Sequence, residues 1–142
     1  MNSEIAINNL QQLPDVSKKI LEKFPSYRIF TFYAEMGCGK TTLIKAIVKQ
    51  LGYDGASASP TYPIVLEYPA KNLKIFHFDL YRIQSVDELN DLGFEEYLEQ
   101  NAYIFIEWPE IAEKIINHYE HLRIIMKNEG EKRVLSFEHF KP

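Results

Sequence analysis

Apolar residues recur along this chain with the two periods that distinguish strands from helices. Alternating or β-branched and aromatic runs predict strands over 4–7, 28–33, 62–68, 74–79, 102–106, 121–127 and 132–137. Apolar spacings of three and four predict helices over 14–24, 41–51, 85–91, 94–100 and 109–117. The run at 102–106 lacks polar alternation, which is typical of a strand buried on both faces of a parallel sheet. Strands and helices that alternate in this way indicate an α/β fold.

Local details of this pattern make further predictions. The segments 62–68 and 74–79 flank a turn and are expected to form an antiparallel hairpin. Ser85 and Glu88 have the spacing of a capping box, which predicts a helix start there. Residues 55–59 are mostly small, and we expect a mobile loop that continues into Pro60.

Between the strand at 28–33 and the helix at 41–51, the chain contains Gly37, Gly39, Lys40 and Thr41. A strand that turns through glycines into a helix directs backbone N–H groups, and the positive end of the helix dipole, at one point. Such a loop binds polyphosphate, with the lysine at the β- and γ-phosphates and the threonine hydroxyl on Mg²⁺. We therefore predict a phosphate-binding loop; the alternative is a glycine turn that only caps a helix.

The loop departs from the general pattern Gly-x-x-x-x-Gly-Lys-Ser/Thr at one position, where Ala34 replaces the first glycine. Alanine is small enough for a tight turn, but a backbone with positive φ would strain it by about 1 kcal/mol. Strain at this position would weaken nucleotide binding.

Two acidic residues, Asp79 and Glu107, directly end or follow predicted strands. Ligands of open α/β sheets bind at the carboxyl ends of strands, so both carboxylates can face the same crevice as Lys40. Phosphoryl transfer needs an acidic residue near the metal besides the loop threonine. We expect Thr41 and Glu107 to serve the metal, because Glu107 follows the buried strand, and Asp79 to orient the attacking water or support the metal site. The alternative is that each acid merely ends a strand at the surface.

Four other side chains each allow two interpretations. Thr61 is either a switch-type ligand of the γ-phosphate or metal, or a hydroxyl that stabilises a turn. Arg82 either neutralises charge in the transition state or pairs with a carboxylate. His77, between two phenylalanines, is interpreted as an ordinary strand side chain rather than a base. Cys38 is predicted to lie beside the phosphates without a redox role.

Composition limits the classes of function. A chain of 142 residues with 46% hydrophobic content suffices for one core, so we predict a single domain over 1–142. The net charge of −4 argues against a broad basic surface for nucleic acid. A single cysteine permits no internal disulfide, and no apolar run approaches the length of a membrane span. Since no secretion signal is recognisable either, we expect a cytoplasmic protein.

Five segments, in order, carry a resemblance to one family: Gly-Cys-Gly-Lys-Thr-Thr-Leu at 37–43, Ser-Pro-Thr-Tyr at 59–62, His-Phe-Asp-Leu-Tyr-Arg at 77–82, the segment 88–93, and Ile-Glu-Trp-Pro at 106–109. The chain resembles the TsaE (YjeE) family, small bacterial ATPases required to make threonylcarbamoyladenosine in transfer RNA. Order and spacing match over about residues 1–138. Many families share the phosphate loop, whereas the later segments in this order are specific.

The resemblance implies a P-loop NTPase fold, a three-layer sandwich with a mixed, mainly parallel central sheet and antiparallel additions. It also implies Mg²⁺ and ATP as ligands, and weak hydrolysis that is stimulated by the partners TsaB and TsaD. Transfer RNA would be contacted only through that complex, and neither DNA nor a membrane is expected as a partner. Catalytic roles are implied for Lys40, Thr61, Asp79 and Glu107. ATP binding is implied for the loop residues Glu35, Met36, Gly37, Cys38, Gly39, Lys40, Thr41 and Thr42.

Two other classes of function share such a loop. A small-molecule kinase would transfer the phosphate to an acceptor, but such enzymes usually carry an arginine-bearing lid, and the chain has no separate lid segment. A non-catalytic, ATP-gated assembly module would bind nucleotide while hydrolysis stays incidental. The presence of both Asp79 and Glu107 argues against a pure binding role. A GTPase would need an Asn-Lys-x-Asp motif, which the sequence lacks.

Overall fold

The computed structural model describes residues 4–35, 37–53, 59–62 and 64–142, with only the backbone described at 59–62. The strands are β1 (Glu4–Ile7), β2 (Ile29–Ala34), β3 (Ser59–Tyr62), β4 (Val65–Ala70), β5 (Leu73–Asp79), β6 (Tyr103–Glu107), β7 (His121–Glu129) and β8 (Lys132–Phe140). The α-helices are α1 (Leu13–Lys23), α2 (Lys40–Gln50), α3 (Val86–Asp91), α4 (Phe94–Leu98) and α5 (Glu113–Ile116). Short 3₁₀ turns at Leu10–Gln12 and Pro109–Ala112 lead into α1 and α5.

The described strands form one mixed sheet in the order β1-β8-β7-β2-β6-β5-β4-β3. The central strands β7, β2, β6 and β5 run parallel to one another. Antiparallel strands extend the sheet on both sides, β8 and β1 beyond β7, and β4 and β3 beyond β5. The predicted fold class, with a parallel centre and antiparallel additions, is therefore confirmed.

The centre of the sheet is apolar because helices cover both of its faces. On one face, α1 and α2 contribute Val16, Ile20, Ile44 and Ile47 to a cluster that includes Phe105. On the other face, α3, α4 and the 109–116 segment contribute Leu89, Phe94, Leu98, Ala112 and Ile116 to a second cluster. Each large side chain buried there stabilises the fold by about 1.5–3 kcal/mol. The continuous apolar run predicted as a doubly buried strand is β6, so that prediction is correct.

Strand β3 differs from the sequence prediction. Residues 59–62 were expected to end a loop and 62–68 to form one strand, whereas the structure has two strands, β3 and β4, that pair antiparallel. Pro60 favoured the loop prediction because proline cannot donate to a sheet ladder. An edge strand tolerates proline, since one side of it forms no ladder, and β3 is such an edge. Residues 55–58 of the expected loop lie outside the described residues.

Two other local predictions were correct only in part. Helix α3 begins where the capping box predicts, but Ser85 makes no side-chain cap; instead Glu88 Oε1 accepts the Gln84 N–H at 3.3 Å. The helix expected over 109–117 is divided into a 3₁₀ turn and the short helix α5. The antiparallel hairpin is confirmed as β4–β5, with Asn72 in the tight turn at φ 62°.

No helix in the described part of the chain is both long enough and apolar enough to cross a lipid bilayer.

Candidate functional site

A cleft of about 450 Å³ opens at the carboxyl ends of β2, β5 and β6, beside the start of α2. Parallel pairing sets Phe32 opposite Glu107, and Glu107 opposite Asp79, so both acids reach the same edge as the phosphate loop. The cleft is lined by Gly37, Gly39, Lys40, Thr41, Thr42, Asp79, Tyr81, Glu107 and Trp108. The structure thus brings together most of the residues that the sequence singled out.

The loop between β2 and α2 uses glycine where its backbone needs it. Gly37 and Gly39 have φ values of 79° and 95°, in the left-handed region that other residues rarely adopt. Ala34 is the last residue of β2 and does not have a positive φ, so the strain expected there does not arise. Helix α2 begins without a side-chain cap, which leaves its first N–H groups available to an anion.

Lys40 is almost fully buried, with 6% of its surface exposed. Its Nζ lies 3.4 Å from the carbonyl oxygen of Ala34 and 3.4 Å from the centre of the Trp108 ring. Burial lowers the pKa of Lys40, and the carboxylates of Glu107, Glu110 and Asp79 oppose this shift. The lysine charge therefore rests on an aromatic face and a carbonyl group at the edge of the cleft.

Glu107 is buried, with 3% exposed, and its carboxylate accepts hydrogen bonds from two side chains. Thr41 Oγ1 lies 2.9 and 3.0 Å from its two oxygens, and His77 Nε2 lies 2.5 Å from Oε2. Burial by itself would raise the pKa of Glu107, but these hydrogen bonds and the charges of His77 and Lys40 outweigh it, so the pKa is lowered. Glu107 is accordingly held in its ionised form.

His77 is a buried side chain of β5, as interpreted from the sequence, but it also belongs to this network, which the sequence analysis did not predict. Besides its contact with Glu107, its Nδ1 lies 3.3 Å from the Tyr68 hydroxyl oxygen. Residues two apart in a strand face the same side. His77 precedes Asp79 by two residues, and this spacing was the signal in the sequence that could have identified it.

Asp79 has a different environment from Glu107, although the two are paired across β5 and β6. Its carboxylate is exposed, and Oδ1 accepts the backbone N–H of Tyr81 at 3.1 Å. Asp79 forms no ion pair within 4.0 Å in the described part of the chain. One acid is therefore fixed in the protein, and the other faces the solvent of the cleft.

Trp108 and Tyr81 form an aromatic wall on one side of the cleft. Their ring centres are 5.0 Å apart, and Tyr81 is largely exposed. Trp108 has φ 55°, a left-handed conformation that costs a non-glycine residue about 1–2 kcal/mol. This backbone turn directly follows Glu107 and leads into Pro109–Ala112.

On the opposite side, the loop is held by the β7–β8 hairpin. Arg133 Nε donates to the carbonyl oxygen of Cys38 at 2.6 Å, and Cys38 Sγ lies 3.5 Å from Asn128 Oδ1. Cys38 is buried, with 1% exposed, and it borders the cavities on this side rather than the cleft. The side chain therefore lies behind the loop, and the position beside the phosphates stays a prediction. The contact of Arg133 joins residues 95 positions apart, and no local pattern in the sequence signals it.

The family model described as "Threonylcarbamoyl adenosine biosynthesis protein TsaE" matches residues 7–135. The chain belongs to the TsaE family. The family acts in the biosynthesis of threonylcarbamoyladenosine in transfer RNA, and the resemblance found in the sequence is confirmed.

Curated TsaE proteins cover most of the chain. The protein from Borreliella burgdorferi is 34% identical over 88% of this chain and 91% of its own length. That from Rickettsia felis is 28% identical over 97% and 88%, respectively. A crystal structure of YdiB from Bacillus subtilis aligns with this chain with a TM-score of 0.76 and 23% sequence identity. The alignment covers 99% of this chain and 87% of the YdiB chain, which supports a shared fold.

The other residues predicted for the site lie outside the lining of the cleft or outside the described residues. Met36 and the side chain of Thr61 lie outside the described residues; the backbone of Thr61 lies in β3. Glu35 is exposed and borders a separate groove of about 420 Å³ with Tyr33 and Asn128. Arg82 is exposed beside Asp79, and within the described ranges it has no carboxylate partner within 4.0 Å, so the predicted structural pair is absent there.

The oxygen atoms in the cleft decide whether a magnesium ion fits there. Among the described residues, no group of three or more His, Cys, Asp or Glu side chains is arranged to hold a metal. The Thr41 hydroxyl and the Glu107 carboxylate are nevertheless in contact, and hard oxygen ligands of this kind suit Mg²⁺. Since Mg²⁺ in nucleotide sites is usually held by one or two protein groups and the phosphates, these residues fit it.

Proposed function

We propose that this TsaE-family protein binds Mg-ATP in the cleft and hydrolyses it. The observation that carries the proposal is the convergence of Lys40, Thr41 and Glu107 at the uncapped start of α2, with Asp79 on the next strand. A buried cation, open helix N–H groups and an ionised carboxylate together suit a triphosphate with its metal.

Binding of the triphosphate requires Lys40 to exchange its present contacts for phosphate oxygens. Its contact with the Trp108 ring is worth about 0.5–2 kcal/mol. A charge-assisted bond to phosphate is stronger than a neutral hydrogen bond, so the exchange is favourable. The first N–H groups of α2 would bind the β-phosphate, as in other loops of this class.

The Thr41 hydroxyl and the Glu107 carboxylate would hold the magnesium ion, which when bound neutralises charge on the phosphate oxygens. Thr41 now donates its hydroxyl hydrogen to Glu107, and this hydrogen would have to turn away so that the oxygen lone pairs face the ion. His77 remains on Glu107 Oε2 and keeps the carboxylate in position. Because the pKa of Glu107 is lowered, the group is already ionised when the ligand arrives.

In the hydrolytic step, a water oxygen bonds to the γ-phosphorus while the bond to the β–γ bridging oxygen breaks, which releases ADP and inorganic phosphate. Asp79 is exposed to the cleft, and its carboxylate would accept a hydrogen bond from the attacking water. Lys40 would offset negative charge that develops near the leaving group. Thr61 stays a predicted ligand of the γ-phosphate or the metal.

We further propose that hydrolysis occurs in the cytoplasm and is coupled to turnover of a complex with TsaB and TsaD. Nucleotide binding would engage Thr61, the partners would complete the site, and hydrolysis would release them. Transfer RNA would be contacted through that complex, which agrees with a net charge of −4 on this chain. If Thr61→Ala left partner-stimulated hydrolysis unchanged, the role given to Thr61 would be wrong.

Release of inorganic phosphate from Mg-ATP tests the proposal, measured with the protein alone and with TsaB and TsaD from the same organism. We expect slow release alone and faster release with the partners, both abolished by Lys40→Ala. Lys45→Ala is the matched control, because Lys45 is an exposed lysine on the same helix. Nucleotide binding without phosphate release in either condition would instead favour an ATP-gated assembly module, and phosphate found on an acceptor would favour a kinase.

A further inference from the structure

We propose that Arg133 is a positioning residue for the phosphate loop, one that fixes the peptide between Cys38 and Gly39 so that the Gly39 N–H faces the bound phosphates. This inference rests on the proposed binding of Mg-ATP and adds to it a residue that lies outside the cleft. Arg133 borders a small cavity of about 60 Å³ behind the loop, together with Ile7, Cys38 and Gly39.

The strands hold Arg133 firmly in this place. It lies in β8, opposite Asn128 of β7 and opposite Ile7 of β1, and is half-buried. Its Nε donates to the Cys38 carbonyl oxygen at 2.6 Å. No carboxylate in the described part of the chain lies within ion-pair distance of it, so this carbonyl is its principal partner there.

Peptide geometry transmits this contact to the other face of the loop. In a planar trans peptide, the carbonyl oxygen and the following N–H point in opposite directions. A Cys38 carbonyl that faces Arg133 therefore directs the Gly39 N–H away from Arg133. Gly39 also lines the cleft, and Arg133 does not, so the N–H is directed toward the side of the proposed phosphates.

The same peptide is one that can rotate. Rotation of a peptide plane changes mainly the ψ of the residue before it and the φ of the residue after it. Gly39, with φ 95°, has no side chain to oppose such a change. After rotation, a carbonyl oxygen would replace the N–H in the cleft, and an oxygen acceptor repels phosphate. The bond from Arg133 favours the orientation that binds the anion.

Substitutions at position 133 separate the hydrogen bond from the charge. In Arg133→Gln, the side-chain amide nitrogen occupies the position of Arg Nε, so an N–H donor is kept and the charge is lost. In Arg133→Lys, a methylene group occupies that position, so the charge is kept and the donor is displaced. Arg133→Met keeps neither. Arg28→Met is the matched control, because Arg28 also donates to backbone carbonyls, those of Pro25 and Tyr27, but far from the loop.

The first measurement is the dissociation constant for Mg-ATP of each variant. We expect Arg133→Met and Arg133→Lys to bind about tenfold more weakly, and Arg133→Gln and Arg28→Met to stay within about twofold of wild type. An equal loss of affinity in Arg133→Gln and Arg133→Met, with wild-type affinity in Arg133→Lys, would overturn the proposal in favour of simple charge attraction. Unchanged affinity in every variant would overturn it outright.

The second measurement reports on the Cys38–Gly39 peptide itself and without ligand. Selective ¹⁵N-glycine labelling gives a spectrum limited to the six glycines of the chain. In the nucleotide-free protein, the Gly39 amide signal should move in Arg133→Met and stay near its wild-type position in Arg133→Gln. An unmoved signal in Arg133→Met would contradict the proposal. If the wild-type protein did not bind ATP, both the proposed function and this role of Arg133 would be wrong. If the wild type bound ATP and Arg133→Met bound it equally well, only the role of Arg133 would be wrong.

Discussion

The phosphate loop and the start of its helix are held by different chemistry on their two sides. On one side lies the cleft floor, which we define as Thr41, His77 and Glu107, where an ionised carboxylate accepts two side-chain hydrogen bonds. On the other lies the loop back, defined as Cys38, Asn128 and Arg133, where an arginine binds a backbone carbonyl. Buried charge dominates the first region, whereas a main-chain contact dominates the second.

Under the proposed function, the difference separates contacts that ligand binding would replace from contacts that it would leave in place. The Thr41 oxygen and the Glu107 carboxylate are the atoms proposed to hold magnesium, so their mutual hydrogen bond would have to change on the proposed binding of Mg-ATP. The Cys38 carbonyl is on the far side of its peptide from the cleft, and its bond to Arg133 can persist throughout. Binding of Mg-ATP would thus replace a hydrogen bond in the cleft floor and leave the hydrogen bond of the loop back intact.

Glu107→Gln should have the largest effect, because it removes the charge of the cleft floor while it keeps the shape of the side chain. We expect ATP hydrolysis with partners to fall by about 10²–10³-fold, the scale of losing one preorganised electrostatic group. Phosphate release is the measurement. Glu110→Gln is the control, since Glu110 is an exposed acid whose charge also acts on Lys40. Similar losses in both variants would show that net charge near the cleft matters, and not the Glu107 carboxylate.

His77→Phe should have the next largest effect, because it leaves the buried Glu107 carboxylate without one of its two donors. The free energy of unfolding should fall by about 1–3 kcal/mol, the cost of an unsatisfied buried group. Urea denaturation without nucleotide measures it. In the double variant with Glu107→Gln, the loss from His77→Phe should shrink, because no buried charge then remains. Additive losses would contradict the pairing of His77 with Glu107.

Cys38→Ala, a change in the loop back, should have the smallest effect. The Sγ contact with Asn128 at 3.5 Å is a weak one, so we expect a change of less than about 1 kcal/mol in the free energy of unfolding. The affinity for Mg-ATP should stay within about twofold, since the Cys38 carbonyl and its bond to Arg133 are unchanged. A loss as large as that of Arg133→Met would show that the cysteine side chain, and not the arginine, holds the loop.

Local pattern sufficed for much of the fold and for the main features of the site. The uninterrupted apolar run of β6, the glycines before Lys40, and the acids at the ends of β5 and β6 each express their structural role within a few residues. The contacts of His77 and Arg133 depend instead on which strands pair, and pairing across long separations is not encoded in a short window. Pro60 misled the prediction because its effect depends on whether a strand lies at the edge of the sheet.

The place of β8 in the sheet has a consequence for the chain as it leaves the ribosome. Helix α2 and its loop are made early, but β8 supplies both Arg133 and the strand that pairs with β1. At about 5–20 residues per second, synthesis of Arg133 follows that of Lys40 by about 5 to 20 seconds. During this interval, the nascent loop lacks the support behind it and β1 lacks its neighbour. β1 is therefore made first but can join the sheet only after β8 has been made.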